Sequence, residues 1–122
     1  MPKLKGPVTS GSSVAFDEAL ASRVRDALKG TDGLVEKRMF GGLAFLLNGN
    51  MCCGVRGDEL IVRLDPEQTE AALRQRGVRV FDLSGRPMKG WVLIAAAGIE
   101  TDDDLRAWVD KGVAFARSLR PK

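Results

Sequence analysis

The sequence contains no histidine and no tyrosine, and its two cysteines, Cys52 and Cys53, are adjacent. Without histidine, the chain lacks the usual general base near neutral pH and the commonest ligand of transition metals. Adjacent cysteines do not provide the separated pairs of a disulfide framework, which indicates a reducing, cytoplasmic location. No apolar run reaches the roughly 18 residues of a membrane-spanning helix, and the first residues lack the apolar stretch of a signal peptide. We therefore expect neither a membrane protein nor a secreted one.

The net charge of +3 comes mainly from one end of the chain. Lys3 and Lys5 lie in a segment that is rich in proline, glycine and serine and has no acidic residue. We expect residues 1–13 to form a disordered tail and residues 14–120 to form one domain. The remainder is nearly neutral and has no dense cluster of lysine and arginine, so the composition does not favour nucleic acid as the main partner.

Hydrophobic periodicity and turn signals predict nine elements in the order α-β-β-β-β-α-β-β-α. Hairpin turns join the strands, so the sheet is expected to be mainly antiparallel, with the helices on one face in a two-layer α+β fold. The helices are predicted at 16–29, 65–77 and 102–119, and the strands near 34–39, 42–47, 50–55, 60–64, 79–83 and 90–95.

Two tight turns, Asn48-Gly49 and Gly57-Asp58, set the expected strand register. In this register Phe45 lies opposite Cys52, and Cys53 lies opposite Val62. The face expected to meet the helices holds Ala44, Leu46, Met51, Cys53, Val55, Leu60, Val62 and Leu64. The face expected to stay open holds Leu43, Phe45, Leu47, Cys52, Ile61 and Arg63.

Two glycine-bearing segments are candidates for contacts with other molecules. Near Gly41-Gly42 the chain bends between two strands, and Met39 and Phe40 need burial either in a packed corner of their own core or by another chain. Arg38 could converge with Arg86 and Lys89 on one rim. The predicted loop Gly85–Gly90 carries Arg86 and Lys89, which could hold an anion or a partner's carboxylate. The alternative is a tight connection in which glycine and proline serve only the turn.

The remaining chemical candidates have ordinary structural explanations. Cys52 and Cys53 could be reactive thiols, but small buried side chains on a strand are the commoner role of free cysteine. Asp102, Asp103 and Asp104 follow Thr101 at a helix start, where acidic residues suit the helix dipole. We expect no metal site, no cofactor and no catalytic residue.

Several separated blocks of the sequence resemble one known family. They are Phe16-Asp17-Glu18, Arg38-Met39-Phe40-Gly41-Gly42, Asn48-Gly49-Asn50-Met51, Asp82, Gly85-Arg86-Pro87-Met88 and Gly90-Trp91. Together they resemble the N-terminal domain of the TfoX/Sxy family, over about residues 14–120. The resemblance implies a small α+β domain in a cytoplasmic bacterial protein that is linked to transcriptional control. Full-length members act as co-activators of competence genes and carry a second, C-terminal domain, for which this chain has no room.

The sequence thus favours a non-enzymatic, single-domain protein that binds another protein, and a second copy bound through the open sheet face is one candidate partner. The predicted interaction residues are Arg38, Phe40, Leu43, Phe45, Ile61, Arg86 and Lys89. One alternative is direct nucleic-acid binding by the basic segment Arg74–Lys89. Another is a small-ligand site or enzyme at the Gly85–Gly90 loop.

Overall fold

The computed structural model describes residues 16–39, 41–83 and 86–121. The expected tail, residues 1–13, and Phe40 lie outside the described residues. The helices of this part are α1 (Glu18–Ala27), α2 (Thr69–Leu73) and α3 (Asp102–Arg117). The strands are β1 (Leu34–Met39), β2 (Gly42–Leu47), β3 (Asn50–Arg56), β4 (Glu59–Arg63), β5 (Val78–Leu83) and β6 (Arg86–Ile94).

All of these strands belong to one antiparallel sheet with the order β1-β2-β3-β4-β6-β5. The two-residue turns that join β2 to β3 and β3 to β4 have the expected positive φ angles, 52° at Asn48, 87° at Gly49 and 59° at Gly57. The α+β fold and the predicted order of elements are confirmed. In the described ranges, no helix is long and apolar enough to cross a bilayer.

Helices α1 and α3 begin at side-chain caps that the sequence indicates. The Asp17 carboxylate accepts a hydrogen bond from the Ala19 N–H (2.8 Å), and the Thr101 hydroxyl accepts one from the Asp104 N–H (3.0 Å). Each cap satisfies a backbone donor that has no partner within its helix. The segment from Asp65 differs from its prediction, because a single 3₁₀ turn, Pro66–Gln68, precedes a short α2.

One large apolar cluster, here called the main core, fills the space between the three described helices and one face of the sheet. Its fully buried members include Val24 of α1, Val109 of α3 and Ile94 of β6. The sheet contributes Leu43, Phe45, Leu47, Cys52, Cys53, Val55, Leu60, Val62 and Leu64. The helices therefore lie on one face, as predicted, but β2 turns a different set of side chains towards them.

The predicted register between β2 and β3 was wrong beyond the first pair. Leu46 lies opposite Met51 as expected, but Phe45 lies opposite Cys53 and Ala44 opposite Gly54. Cys52 is the extra residue of a β-bulge, and a one-residue slip reverses the faces of the side chains beyond it. Since Cys53 and Val62 keep their expected pairing, the bulge instead turns Leu43 and Phe45 of β2 towards the helices.

The bulge also places both thiols in the main core. The Sγ atoms of Cys52 and Cys53 lie 3.9 Å apart, and the Cys52 thiol donates a hydrogen bond to the Phe45 carbonyl (3.4 Å). Both side chains are 0% exposed. This corrects the expectation that the two cysteines lie on opposite faces, and it agrees with the interpretation of both as small buried side chains.

We expect neither thiol to react with Ellman's reagent at pH 8 in the folded protein. The neighbouring Cys52 thiol and burial both raise the pKa of Cys53 well above its usual value, so its reactive thiolate is scarce. The hydrogen bond with Cys53 lowers the pKa of Cys52, so the protection of Cys52 depends on its complete burial. Absorbance of the released thiolate measures the reaction, and the same sample in guanidinium provides the control in which both cysteines react. Fast modification of either thiol without denaturant would contradict the buried bulge.

The predicted loop between the last two strands is mostly strand, because β6 already begins at Arg86. Gly90 lies within β6 with φ at 89°, and its N–H donates to the buried Thr69 hydroxyl (3.0 Å). A Cβ atom at this position would lie 2.9 Å from the Leu64 carbonyl oxygen. Gly90 therefore has a packing role, where β6 passes close to the segment that leads into α2.

Candidate functional site: the free edge of β1

The structure buries the apolar residues that the sequence assigned to an open sheet face. Leu43 and Phe45 are 4% and 0% exposed in the main core, so their assignment to the open face was wrong. Ile61 does point away from the helices, but it is also 0% exposed. None of these three side chains is available to a partner in the folded chain.

The face opposite the helices has its own small apolar cluster. Its buried members are Ala44, Met51, Ile61, Phe81 and Leu93, and Leu46 and Trp91 pack against them. Two arginines of the sheet lie over aromatic rings, with Arg56 6.0 Å from the Phe81 centroid and Arg63 5.2 Å from that of Trp91. This face therefore does not present the bare apolar patch on which the expected homodimer through the open face depended.

The exposed apolar side chains lie elsewhere, on edge strand β1. Among the described residues, the large hydrophobic side chains that are more than a third exposed are Val35 (61%), Met39 (38%) and Leu73 (37%). Val35 and Met39 are separated by four positions on one strand, so they project from the same face of the sheet, with Lys37 between them. They form an apolar stripe at the margin of the molecule.

Within the described ranges, the backbone of β1 also has one side that pairs with no other strand. The Asn48 N–H donates to the Gly33 carbonyl (3.1 Å), which makes Gly33 and Asn48 a hydrogen-bonded pair of the β1–β2 ladder. Such pairs alternate in an antiparallel ladder, so the backbone N–H and C=O groups of Val35 and Lys37 also point towards β2. The outward N–H and C=O groups belong to Leu34, Glu36 and Arg38, and no described residue bonds to them.

Side chains on the helix side hold this edge in place. The Arg25 guanidinium of α1 donates two hydrogen bonds to the Glu36 carboxylate (2.8 and 3.0 Å), and the Arg38 guanidinium lies 5.7 Å from the centroid of the Phe16 ring. Arg38, Glu36 and Lys37 are nonetheless exposed. The strand is thus a preformed edge with one acidic and two basic side chains, and no described residue pairs with its outer backbone groups.

The Arg25–Glu36 pair gives β1 a modest dependence on pH. The hydrogen bonds from Arg25 lower the pKa of Glu36, so the stabilisation is present above the ordinary glutamate pKa and is lost as the pH falls through the lowered one. We expect Glu36→Gln to remove this acid sensitivity and to cost roughly 0.2–1 kcal/mol near neutral pH, since the pair is exposed. Denaturant unfolding at several pH values measures it, with Glu100→Gln as the control. Parallel pH profiles for wild type and Glu36→Gln would contradict it.

The other predicted interaction residues are dispersed. Lys89 is exposed on β6, on the far side of the sheet order from β1. Arg86 begins β6, but its side chain and Phe40 lie outside the part of the chain that the structure describes. The structure thus does not bring Arg38 and Lys89 together on one strand pair.

The basic segment of the nucleic-acid alternative is partly neutralised. Arg79 forms a two-point ion pair with Glu59, one contact of which is 2.7 Å. Arg74 and Arg76 are exposed near the end of α2. Because the pair occupies Arg79, this alternative has less free positive charge than the sequence suggests.

The described residues also offer concave surfaces, and these are shallow. One cleft of about 330 Å³ is lined by Leu20 and Arg23 of α1 together with Asp17, Asp58, Ile99 and Glu100. Arg23 is engaged there, since it donates to the Ile99 carbonyl (2.8 Å) and pairs with Asp102 (3.1 Å). No group of three potential metal-ligating side chains is found among the described residues.

The sequence contained a signal for the β1 edge that the sequence analysis missed. Apolar and charged side chains do not alternate regularly along β1, whose sequence is Leu34-Val35-Glu36-Lys37-Arg38-Met39. A strand that cannot bury either face is typical of a sheet edge. Its place at the edge depends on the order of strands in space, which the hairpins alone do not determine.

Comparison with known proteins supports the resemblance found in the sequence. The model of the TfoX N-terminal domain family matches residues 26–116 of the 122 residues. The match includes β1, the bulge of β3 and most of α3. No curated protein and no solved structure matches the chain. With this match over most of its length and an α+β fold of the expected order, the chain belongs to the TfoX N-terminal domain family.

Proposed function

We propose that this TfoX N-terminal domain is a non-enzymatic regulatory module of the bacterial cytoplasm that binds another protein through the free edge of β1. Its regulatory role is related to that of the competence and transcription co-regulators of the family. The observation that carries the proposal is the combination of outward backbone groups at Leu34, Glu36 and Arg38 with the exposed Val35 and Met39. A strand of a partner that adds to this edge gains main-chain hydrogen bonds, and its side chains cover the apolar stripe.

The chemistry of the chain supports a binding role over a catalytic one. Histidine and tyrosine are absent from the sequence, and both thiols are fully buried. Proton transfer would depend on carboxylates or lysines with shifted pKa values. The carboxylate with a lowered pKa, Glu36, is explained by its structural pair with Arg25.

A pull-down from the native cell lysate tests the proposal with two matched variants. Val35→Lys places a charge in the apolar stripe of β1, and Leu73→Lys places the same charge at an exposed leucine of α2. We expect the bound protein to be retained by wild type and Leu73→Lys and to be lost with Val35→Lys. Retention by both variants, or loss with both, would contradict the use of the β1 edge.

A further inference from the structure

We infer that the β1 edge pairs with the β1 edge of a second copy of this chain, in an antiparallel register with Lys37 on the two-fold axis. The inference rests on the proposed binding function of this edge and names its occupant. It follows from the sequence of charges and apolar side chains on β1, together with the residues whose backbone groups point outward.

The outward groups allow few symmetric arrangements. A two-fold axis passes either through one residue, which then lies opposite its own copy, or between two neighbouring residues. In either case the outward residues Leu34, Glu36 and Arg38 must form the hydrogen-bonded pairs with one another. Four registers meet this condition with an overlap of at least three residues inside β1, and they centre on Val35, Glu36, Lys37 or Arg38.

Charge complementarity selects among these four. With Lys37 at the centre, Glu36 of each copy lies opposite Arg38 of the other, and Val35 lies opposite Met39. Opposite charges and apolar pairs directly across two strands are each favourable. Both exposed apolar residues of β1 are covered in this arrangement.

The other three registers are poorer. With Glu36 at the centre, the two Glu36 carboxylates face each other, and with Arg38 at the centre the two Arg38 guanidinium groups do. Like charges directly opposite each other are destabilising, so both arrangements lose by the same rule that favours the Lys37 register. With Val35 at the centre, only 34–36 of β1 overlap, and Met39 stays uncovered.

The favoured register has one unfavourable pair, Lys37 opposite Lys37. The long side chains of the two Lys37 residues can direct both ammonium groups away from the sheet into water. The like charge nevertheless weakens the association, as lysines at sheet edges commonly do. The contact is therefore expected to be reversible, so that another protein strand can replace the second copy.

The register also extends the ion pair that already holds β1. Glu36 accepts two hydrogen bonds from Arg25 and is exposed on its remaining side. Arg38 of the second copy would approach that side, so that Glu36 lies between two guanidinium groups of different chains. The two copies then share one continuous antiparallel sheet, with the helices of both on the same face.

Variants with one added cysteine on β1 distinguish the registers by disulfide trapping. Residues that face their own copies at a non-hydrogen-bonded position have Cα atoms about 4.5 Å apart, which is within the range of a disulfide. The native Cys52 and Cys53 are buried and do not compete. Under mild oxidation we expect Lys37→Cys to give covalent dimer rapidly and in high yield, and Val35→Cys and Glu36→Cys to give at least about tenfold less.

Each other outcome overturns the inference. Preferential dimer from Val35→Cys or Glu36→Cys would assign a different register, and no dimer from any of the three would exclude self-pairing. If no variant cross-links while Val35→Lys still loses the protein captured from the lysate, the binding function stands and only the second copy is excluded. If Lys37→Cys cross-links but Val35→Lys loses nothing, the binding function fails instead.

A charge exchange provides an independent readout that leaves the backbone unchanged. Glu36→Arg places two arginines opposite each other across the axis, and we expect sedimentation to show a weaker dimer. The double variant Glu36→Arg with Arg38→Glu restores opposite charges and is expected to recover the dimer. Failure of the double variant to recover it, in a protein that still folds cooperatively, would overturn the pairing of Glu36 with Arg38.

Discussion

Gly112→Ala is expected to destabilise the protein by roughly 3 kcal/mol, or to prevent folding, although alanine favours an exposed helix over glycine by about 1 kcal/mol. A Cβ atom at Gly112 would lie 2.2 Å from the Cys52 carbonyl oxygen and 3.1 Å from its carbon. Both are backbone atoms of the bulge in β3, so no side-chain rotation relieves the overlap. Helix α3 would have to move away from the sheet and leave Trp108 and Val109 poorly packed.

Helix propensity alone would make Gly112→Ala more stable than wild type, so a loss of stability identifies the overlap with the bulge. Denaturant unfolding of Gly112→Ala is compared with that of Lys111→Ala, the exposed neighbour on the same helix. The control is expected to stay within about 0.5 kcal/mol of wild type. A Gly112→Ala protein that is as stable as wild type, or more stable, would show that α3 does not lie directly on the bulge.

Phe45→Ala is expected to cost about 3–5 kcal/mol, the range of a large aromatic side chain removed from a core. Phe45 is 0% exposed among the apolar residues of the main core. Phe45→Asp would bury a carboxylate there without a partner and should leave the protein unfolded. The assignment of Phe45 to the open face, made from the turns alone, predicts instead that Phe45→Asp folds and self-associates more weakly.

Val35→Ala on β1 is the matched control for Phe45, because it shortens an apolar side chain that is 61% exposed. Its effect on thermal unfolding is expected to be within about 0.5 kcal/mol, provided that the protein is dilute. A folded, stable Phe45→Asp protein would contradict the bulge and return Phe45 to the surface. The two variants together therefore test which face of β2 is buried.

The elements of the fold were predictable because their signals are local. Asp17 and Thr101 cap helices through bonds to residues two or three positions ahead, and Asn48-Gly49 adopts positive φ angles that few other residues accept. Each of these acts within a few residues of the chain. The order of elements and the α+β class follow from them.

The sorting of side chains was not predictable, because it depends on a contact between distant segments. The bulge at Cys52 fits beneath α3 only because position 112 has no side chain, and these residues are far apart in the sequence. The turn at Asn48-Gly49 determines the first pair of the hairpin and nothing beyond the bulge. An extra residue in one strand reverses every side chain that follows, which is why Leu43 and Phe45 were assigned to the wrong face.

The candidate site was harder to predict from the sequence than the fold was. Arg38 was identified from the sequence, and it does lie on β1. Met39 was named only as a residue that needs burial by its own core or by another chain, and Val35 was not singled out. The structure exposes both Val35 and Met39. Their exposure follows from the position of β1 at the end of the strand order, and no turn or cap determines that position.

Amide hydrogen exchange along β1, followed by NMR at several protein concentrations, tests the central claim most directly. The N–H groups of Glu36 and Arg38 point outward, and those of Val35 and Lys37 bond to β2, so the two sets should respond differently. We expect exchange at Glu36 and Arg38 to be fast in dilute protein and to slow as the concentration rises, while exchange at Val35 and Lys37 stays slow throughout. Exchange at Glu36 and Arg38 that is slow at every dilution, or fast at every concentration, would contradict a free edge that binds a second copy.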